Sequence, residues 1–553
     1  MNSVFFHFDN LKRPIRQLCI LFFTISMLAV EPVQAQQTLL DGSNAVPEYS
    51  AAEIKSIEDQ GSKLEAAKSW RAALRFYERA QRSYPGQAVI AERVRLSRAH
   101  VDIARRYHDA SYLRSLEMMD LELGQSVYRE ILAKVDTYYF ANPNWQDILQ
   151  SGVSQLQVAV SDDLFCGQHE IRPTETQFGE YQRAVTRWTD SHPCRSQRDV
   201  LLSATTISGY ASEYLQIPQS AALLELLSGT IISLDRYSSY LTGTQLDDMF
   251  SQIEGNFVGL GIELRIQETH LLVERVIADG PAAEAGIRGG DRIIEVDRNM
   301  IPDVASAKAA DMLKGMEGTK IEIVVVSASG AARRMVLVRR RVQVSSVVDV
   351  KMLENDGRVG YFRVVSFQKN TPRDVQAALL QLRQNGMQRL VIDIRGNPGG
   401  LVTSAVEIAD MFLDQGTIVS TRGRSVNEDM DYQAHQAGTW IEPLVVLIDD
   451  RSASASEIFA GAIKDHQRGA IVGHSTYGKG SVQGIFPLAS FNCGLRLTTA
   501  RFYSPHGHQI SQRGVLPDVE VRMLAKPLED GTLPLAQSDP ILFAGIEIVK
   551  SRK

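Results

Sequence analysis

The chain changes hydrophobic texture twice, and one core cannot satisfy all three textures. Up to about residue 251 apolar residues recur at helical spacing. From about 252 to 343 short alternating runs are separated by glycine turns, and beyond 344 strand-like runs alternate with helical ones. A 3.6-residue period buries one stripe of a helix and a 2-residue period buries one face of a sheet, so each texture needs its own partner. At 553 residues roughly three to four domains are expected, at about 150 residues each. The expected class is multidomain α+β. A helical N-terminal region precedes a small strand-rich domain and an α/β core with glycine-rich strand–helix turns.

The two ends read differently from the body. Lys12, Arg13 and Arg16 precede an uncharged, mostly apolar run from Leu18 to Val30, and Val33-Gln34-Ala35 offers a small-residue cleavage site. That is the pattern of a secretory signal peptide over 1–35, with a linker over 36–50; an uncleaved anchor is the other reading. The rest of the chain is expected to be exported, to a bacterial periplasm, with no membrane span after cleavage. Residues 526–553 read as a C-terminal tail. The net charge of −6 is mild and points to no nucleic-acid partner. Cys166 and Cys194 lie in one polar segment and are a candidate disulfide in an oxidising compartment. Cys493 reads as a small buried residue.

Residues 51–118 are expected to be helical. Gly61, Leu64, Ala73, Tyr77, Ala80 and Pro85 fall at spacings that resemble one tetratricopeptide repeat, with small residues where two helices cross. One repeat cannot bury its own face, so the helical run Ala91–Arg106 is expected to cover it. Residues 119–251 read as helices interrupted by the cysteine-containing insertion. An adaptor or a second copy of the chain is a candidate partner for these helices.

The strand-rich stretch, 252–343, opens with Gly255-Asn256-Phe257-Val258-Gly259-Leu260-Gly261-Ile262 and continues through Leu271–Ile277, Gly280–Ile287 and Gly290–Asp297 to a helix at Val304–Lys314 and a last strand at Lys320–Val326. This order resembles a PDZ domain, a β-sandwich with helices. Amides around Gly259–Gly261 are then expected to take a terminal carboxylate, with the peptide adding as a strand beside Ile262–Leu264. Phe257, Leu260 and Met312 are candidate pocket walls, or else fillers of the domain's own core.

Chemistry concentrates in the α/β core, expected over 344–525. Ser454 follows the apolar strand Leu444–Ile448 and precedes a helix near Ala455. Amides and dipole at a helix N-terminus favour the negative charge that forms when serine attacks a carbonyl. A cap for that helix is the plainer reading of Ser452, Ser454 or Ser456. Asp393-Ile394-Arg395-Gly396-Asn397-Pro398-Gly399-Gly400 is a second strand–turn–helix junction, whose glycine amides can converge on an anion. Lys479, 25 residues after Ser454, sits between glycines. Burial can leave a lysine neutral and so make it a base for a serine. Gln483 could orient its amine. Gly473–Lys479 also matches the start of a phosphate-binding loop, but Gly480 follows where Ser or Thr is needed and a strand follows where a helix is needed. His466, His474, His506 and His508 keep a conventional triad open. No histidine–carboxylate cluster has metal-ligand spacing, so neither metal nor cofactor is expected.

These segments together resemble the carboxyl-terminal processing, or tail-specific, proteases. The likeness runs from about 220 to 522. It is carried by Leu234-Asp235-Arg236-Tyr237-Ser238, Asp393–Gly400, Ser452–Glu457, Tyr477–Gln483, Thr498–Tyr503 and Gly514-Val515-Leu516-Pro517-Asp518. The resemblance implies a serine–lysine endopeptidase acting through an acyl-enzyme. Ser454 would be the nucleophile, Lys479 the general base and Gln483 its orienting partner. Oxyanion donors would lie at Gly399, Gly400 and Ala455, with Glu457 and Thr476 as accessory residues, and the PDZ domain would take substrate C-termini. A catalytically silent scaffold that binds C-termini is the alternative.

Overall fold

The computed structural model describes residues 50–267, 269–301, 312–313, 315, 317–353, 358–435, 440–511, 513–522 and 539–552. The expected signal peptide, nearly all of the linker and most of the Val304–Lys314 helix lie outside the described residues.

Helices Ala51–Ala66, Trp70–Ser83 and Ala88–Tyr107 pack as the small-residue spacing requires. A Cβ on Gly61 would fall 2.1 Å from the Tyr77 ring, so only glycine lets these helices cross there. Ala73, Tyr77 and Ala80 share one small core with Ile90 and Val94 of the covering helix. The cysteine segment is not a polar loop. It folds into helices Asp163–Gln168 and Glu175–Ser191, each with a side-chain N-cap, and buries Phe165 and Tyr181. Nor do its cysteines pair. Cys166 Sγ, on the first of these helices, donates to Val160 O at 3.1 Å, Cys194 Sγ, in the connection after the second, lies 3.6 Å from Ser203 Oγ, and both thiols are free. Cys493 is buried in the large helical core, as its setting suggested.

That core extends beyond the helices. Helices Leu121–Tyr138, Trp145–Val160, Gln197–Leu215 and Gln219–Ile232 bury their apolar stripes together with Leu488, Leu495 and Leu497 of the α/β region. Glu130 accepts from the amides of Ala489 and Ser490 at 3.0 and 3.1 Å. Phe140 N donates to Thr498 O at 3.1 Å.

The strand-rich region forms an antiparallel sheet in the order Ile262–Ile266, Leu271–Val276, Arg292–Val296, Lys320–Val326, Ala332–Val338. The α/β core has a six-stranded sheet, Val347–Met352, Val359–Val364, Arg389–Asp393, Leu444–Ile448, Ala470–Gly473, Val519–Glu520, parallel from the second strand onward. Helices Thr371–Gln384, Val402–Asp410 and Ala455–Asp465 bury their apolar faces in one core with it. A five-stranded antiparallel sheet built on the long strand Gly494–Tyr503 stands beside it. The expected C-terminal tail holds one more element. Pro540–Ser551 is a helix whose Ile541 and Val549 join Val391, Val445, Leu447 and Val472 in a second core of the parallel sheet. Gly545 permits that approach, since a Cβ there would meet Leu447 Cδ2 at 2.7 Å.

Candidate active site

Three neighbouring parallel strands end in register, Asp393 beside Leu447 and Ile448 beside Gly473. The turns that leave them therefore open on one edge, where α/β sheets place their sites. These turns are Asp393–Gly400, Asp449–Ser454 and His474–Lys479.

Ser454 stands at the head of helix Ala455–Asp465 with φ +57° and ψ −114°. A non-glycine residue held there is strained, and such strain collects at functional positions. Ser454 is itself the N-cap residue of that helix, and its backbone N–H donates to Glu457. Ser452 Oγ donates to Ile394 O at 2.9 Å and Ser456 Oγ to Asn397 O at 2.9 Å, so both serines stitch the Ser454 turn to the glycine turn.

The glycine turn lies directly against Ser454. A Cβ on Gly399 would sit 2.8 Å from Ser454 Cβ and 2.6 Å from Ala453 O. Gly399 also has φ +104°, which a side chain would strain. The amide of Gly399, expected as an oxyanion donor, instead donates to Asn397 Oδ1 at 2.9 Å. The amides of Gly400 and Ala455 have no such partner among the described residues. Gly400 closes on Phe367, whose carbonyl a Cβ would strike at 2.0 Å.

Glu457 ties Ser454 and Lys479 together. It is fully buried and accepts four hydrogen bonds: from Ser454 N (2.8 Å), Thr476 Oγ1 (2.6 Å), Gly478 N (2.7 Å) and Lys479 N (2.9 Å). Burial pushes this carboxyl up, and the four donors pull against that. Thr476 Oγ1 in turn accepts from Val515 N at 2.6 Å. This binds in the Gly514–Asp518 segment, whose Asp518 accepts from Ile471 N and Lys464 Nζ.

Lys479 is pulled down from the ordinary lysine range to about 8. Burial is the largest cause and the nearby Arg496 guanidinium adds to it, while Glu457 and Asp235 oppose. Its Nζ lies 5.2 Å from the centroid of the Tyr237 ring. No hydrogen bond joins Ser454 Oγ and Lys479 Nζ in this structure. Gln483 does not hold the amine either. Its Nε2 donates to Ser481 O and Ser481 Oγ at 3.1 and 2.9 Å, because the strand Ser481–Pro487 turns it back on its own backbone. That strand follows Lys479 directly, so no phosphate-binding helix is present here.

The histidines do not build a triad. His466 contacts Thr417 O from the far end of helix Ala455–Asp465. Histidine–carboxylate pairs among the described residues are His100–Asp162, His435–Asp410 and His506–Asp465, none of which includes a partner of Ser454.

The expected peptide-binding residues separate. Ile262 begins an edge strand that pairs only with Leu271–Val276 among the described residues. Gly261 adopts φ +74°, and the carbonyls of Leu260 and Gly261 are bonded to Ala282 N and Ile277 N. Gly259 closes the short ladder with Arg340. Leu260 is buried in the domain core, with Ile262 and Met312 packed partly against it. Phe257 packs with Val342 and Val344 in a separate small cluster, because its strand pairs with Arg340–Gln343 and not with the PDZ sheet.

Comparison with known proteins agrees with this architecture. Residues 358–521 match the model of peptidase family S41, and residues 272–327 match a PDZ domain. A carboxy-terminal-processing protease of Bartonella bacilliformis is 38% identical over 327 residues, covering 56% of this chain and 72% of that protein. A carboxyl-terminal-processing protease of Synechocystis is 34% identical, over 47% of this chain and 61% of its own length. Among solved structures, a photosystem II D1 C-terminal processing protease aligns over 76% of this chain and 98% of its own at 24% identity, with a TM-score of 0.38. A serine-peptidase core of family S41 preceded by a PDZ domain is the class these matches define. The chain belongs to the carboxy-terminal-processing proteases.

Proposed function

We propose that the chain is an exported endopeptidase that takes the C-terminal tails of proteins into its PDZ domain and cleaves them with Ser454 and Lys479. The observation that carries this reading is Glu457. One buried carboxylate grips the backbone of both residues, so nucleophile and base are set by the same anchor.

The substrate tail adds as a strand to the open edge of Ile262–Ile266, its carboxylate at the Leu260–Ile262 amides. Neutral Lys479 takes the Ser454 proton as the hydroxyl attacks the scissile carbonyl. The amides of Gly400 and Ala455 receive the oxyanion; each such donor is worth roughly 2.7–4 kcal/mol. Lys479 then protonates the leaving amine and activates the water that releases the acyl-enzyme. The lysine side chain must swing to Ser454 for the first step. Gln483 must leave Ser481 if it is to orient the amine. The role of Gly399 is steric, since its amide is already engaged. A leader over 1–35 fits export to the periplasm, and the described residues contain no helix long and apolar enough to cross a membrane.

Incubation with a protein ending in an unstructured apolar tail, followed by mass spectrometry of the products, tests the reading. Cleavage abolished by both Ser454→Ala and Lys479→Ala is expected. Tail binding without turnover by the unaltered chain would instead favour the silent scaffold.

A further inference from the structure

The catalytic lysine is roofed by a segment 242 residues away in sequence. We propose that Tyr237 is a positioning residue for Lys479: its ring is the wall beside the amine that shuts water out and from which the amine reaches Ser454. The inference rests on the serine–lysine reading above and adds the element that makes the lysine usable.

Three independent constraints hold that ring. Asp235 Oδ1 accepts from Tyr237 N at 2.7 Å and from Ser238 N at 2.9 Å, closing a tight turn. Arg496 Nε donates to Tyr237 O at 2.8 Å from the long strand of the neighbouring sheet. Ser239–Leu241 then pairs with that same strand, Ser239 beside Arg496. The backbone of Tyr237 is thus pinned on both sides, which leaves its ring little choice of position. Arg236 lies 4.7 Å from the ring centroid on one hand and 6.0 Å from that of Tyr477 on the other. Its Nη2 donates to the Tyr237 hydroxyl at 2.5 Å.

Lys479 Nζ has no hydrogen-bond acceptor among the described residues, and the ring face 5.2 Å away is its recorded neighbour. An aromatic face does two opposed things to an amine. Its quadrupole attracts the cation, worth about 0.5–2 kcal/mol. Its bulk excludes water, which disfavours the charged form by more where burial is deep. The charged groups acting on the amine are Arg496 on the long strand, Glu457 on the nucleophile helix, and Asp235 and Arg236 on the turn. Two of these are cations and two are anions, so their effects largely oppose, and the exclusion of water decides. Tyr237 therefore acts through Lys479 and need not touch substrate.

The test compares Tyr237→Phe and Tyr237→Leu in the full chain, using a peptide with a free apolar C-terminus and a fluorophosphonate that labels the active serine. Tyr237→Phe keeps the wall and is expected to stay within about twofold of the parent rate. Tyr237→Leu opens it. Its kcat is expected to fall at least about tenfold with KM little changed, and the pH midpoint of labelling to rise by roughly one unit as water reaches the amine. If Tyr237→Leu fails to fold, Asp235→Ala frees the turn that holds Tyr237; loss of that anion alone would lower the midpoint, so a rise is expected only if the ring has moved, and a fall would overturn the inference. An unchanged rate and midpoint would overturn the inference, as would a loss confined to KM, which would place the ring on the substrate. Lys479→Ala is run beside them. If it is inactive while Tyr237→Leu is unaltered, only the role of Tyr237 fails; if it is active, the dyad itself fails.

Discussion

Glu457 accepts from two turns that are separate in sequence, and no neutral side chain of its size can accept all four of those bonds. In Glu457→Gln an amide NH2 must face at least one of the Ser454, Thr476, Gly478 or Lys479 donors. Leaving a buried donor unpaired costs about 1–3 kcal/mol, and the larger effect falls on the relative placement of hydroxyl and amine. We expect kcat to drop by about 100-fold, with a lowered midpoint in urea, both read on the same sample. Ser454 and Lys479 were singled out in the sequence by the resemblance to the processing proteases, since a serine before an apolar helix also reads as a cap and a lysine after Gly473–Gly478 as the start of a phosphate loop. Tyr237 was visible only as part of the Asp235–Ser238 motif. Nothing local says that its ring meets an amine from another sheet. Gln483 and Gly399 show the converse limit, since a motif gives identity and position but not which hydrogen bond the residue makes.

The glycine turn and the C-terminal helix are the elements that set the site's shape, and they are connected. Arg395, at the start of the turn, bonds Asp393 at 2.6 Å and also Asp539 at 2.7 Å. Asp539 caps the final helix by accepting from Leu542 N at 3.0 Å. Helix Pro540–Ser551 thus grips the strand end that carries the glycine turn. Asp539→Ala is expected to lower kcat several-fold and to destabilise by about 1–3 kcal/mol, with partial recovery in Asp539→Glu. Progress curves and thermal melts check it. Gly400→Ala should be more severe, because its Cβ would fall 2.0 Å from the Phe367 carbonyl oxygen. We expect a loss of activity of about 10²–10³-fold if the protein folds. The final helix was missed in the sequence, although it had a signal. Asp539-Pro540 is a helix start, and Ile541, Gly545 and Val549 follow at a spacing of four residues. The strands and helices of the core were legible because their apolar runs are bounded by glycine and proline. Ala455–Asp465 and Leu444–Ile448 fall where the pattern placed them.

At the scale of the whole molecule, the N-terminal helices are part of the peptidase and not an appendage. Leu495 and Leu497 of the strand that also carries Arg496 are fully buried among the helices. Arg424 donates to Tyr139 O at 3.0 Å at the end of helix Leu121–Tyr138. A chain beginning at residue 252 would lose that covering and the Tyr237 roof together. It is expected to aggregate, or to remain protease-sensitive and inactive, as limited proteolysis and labelling would show. The change of texture along the chain located these regions but not their docking. Docking depends on which polar groups meet across regions, and hydrophobic period says nothing of that.

The central claim is that an amine whose pKa burial lowers activates Ser454 in its neutral form, and the pH dependence of fluorophosphonate labelling tests it most directly. With Lys479 lowered to about 8, the neutral base accumulates as pH rises through that value. Labelling should therefore climb from weak near pH 6.5 to half-maximal near about 8 and vanish in Lys479→Ala at every pH. A midpoint near the histidine reference of about 6.5 that is lost in His474→Ala, with Lys479→Ala still labelled, would contradict the account.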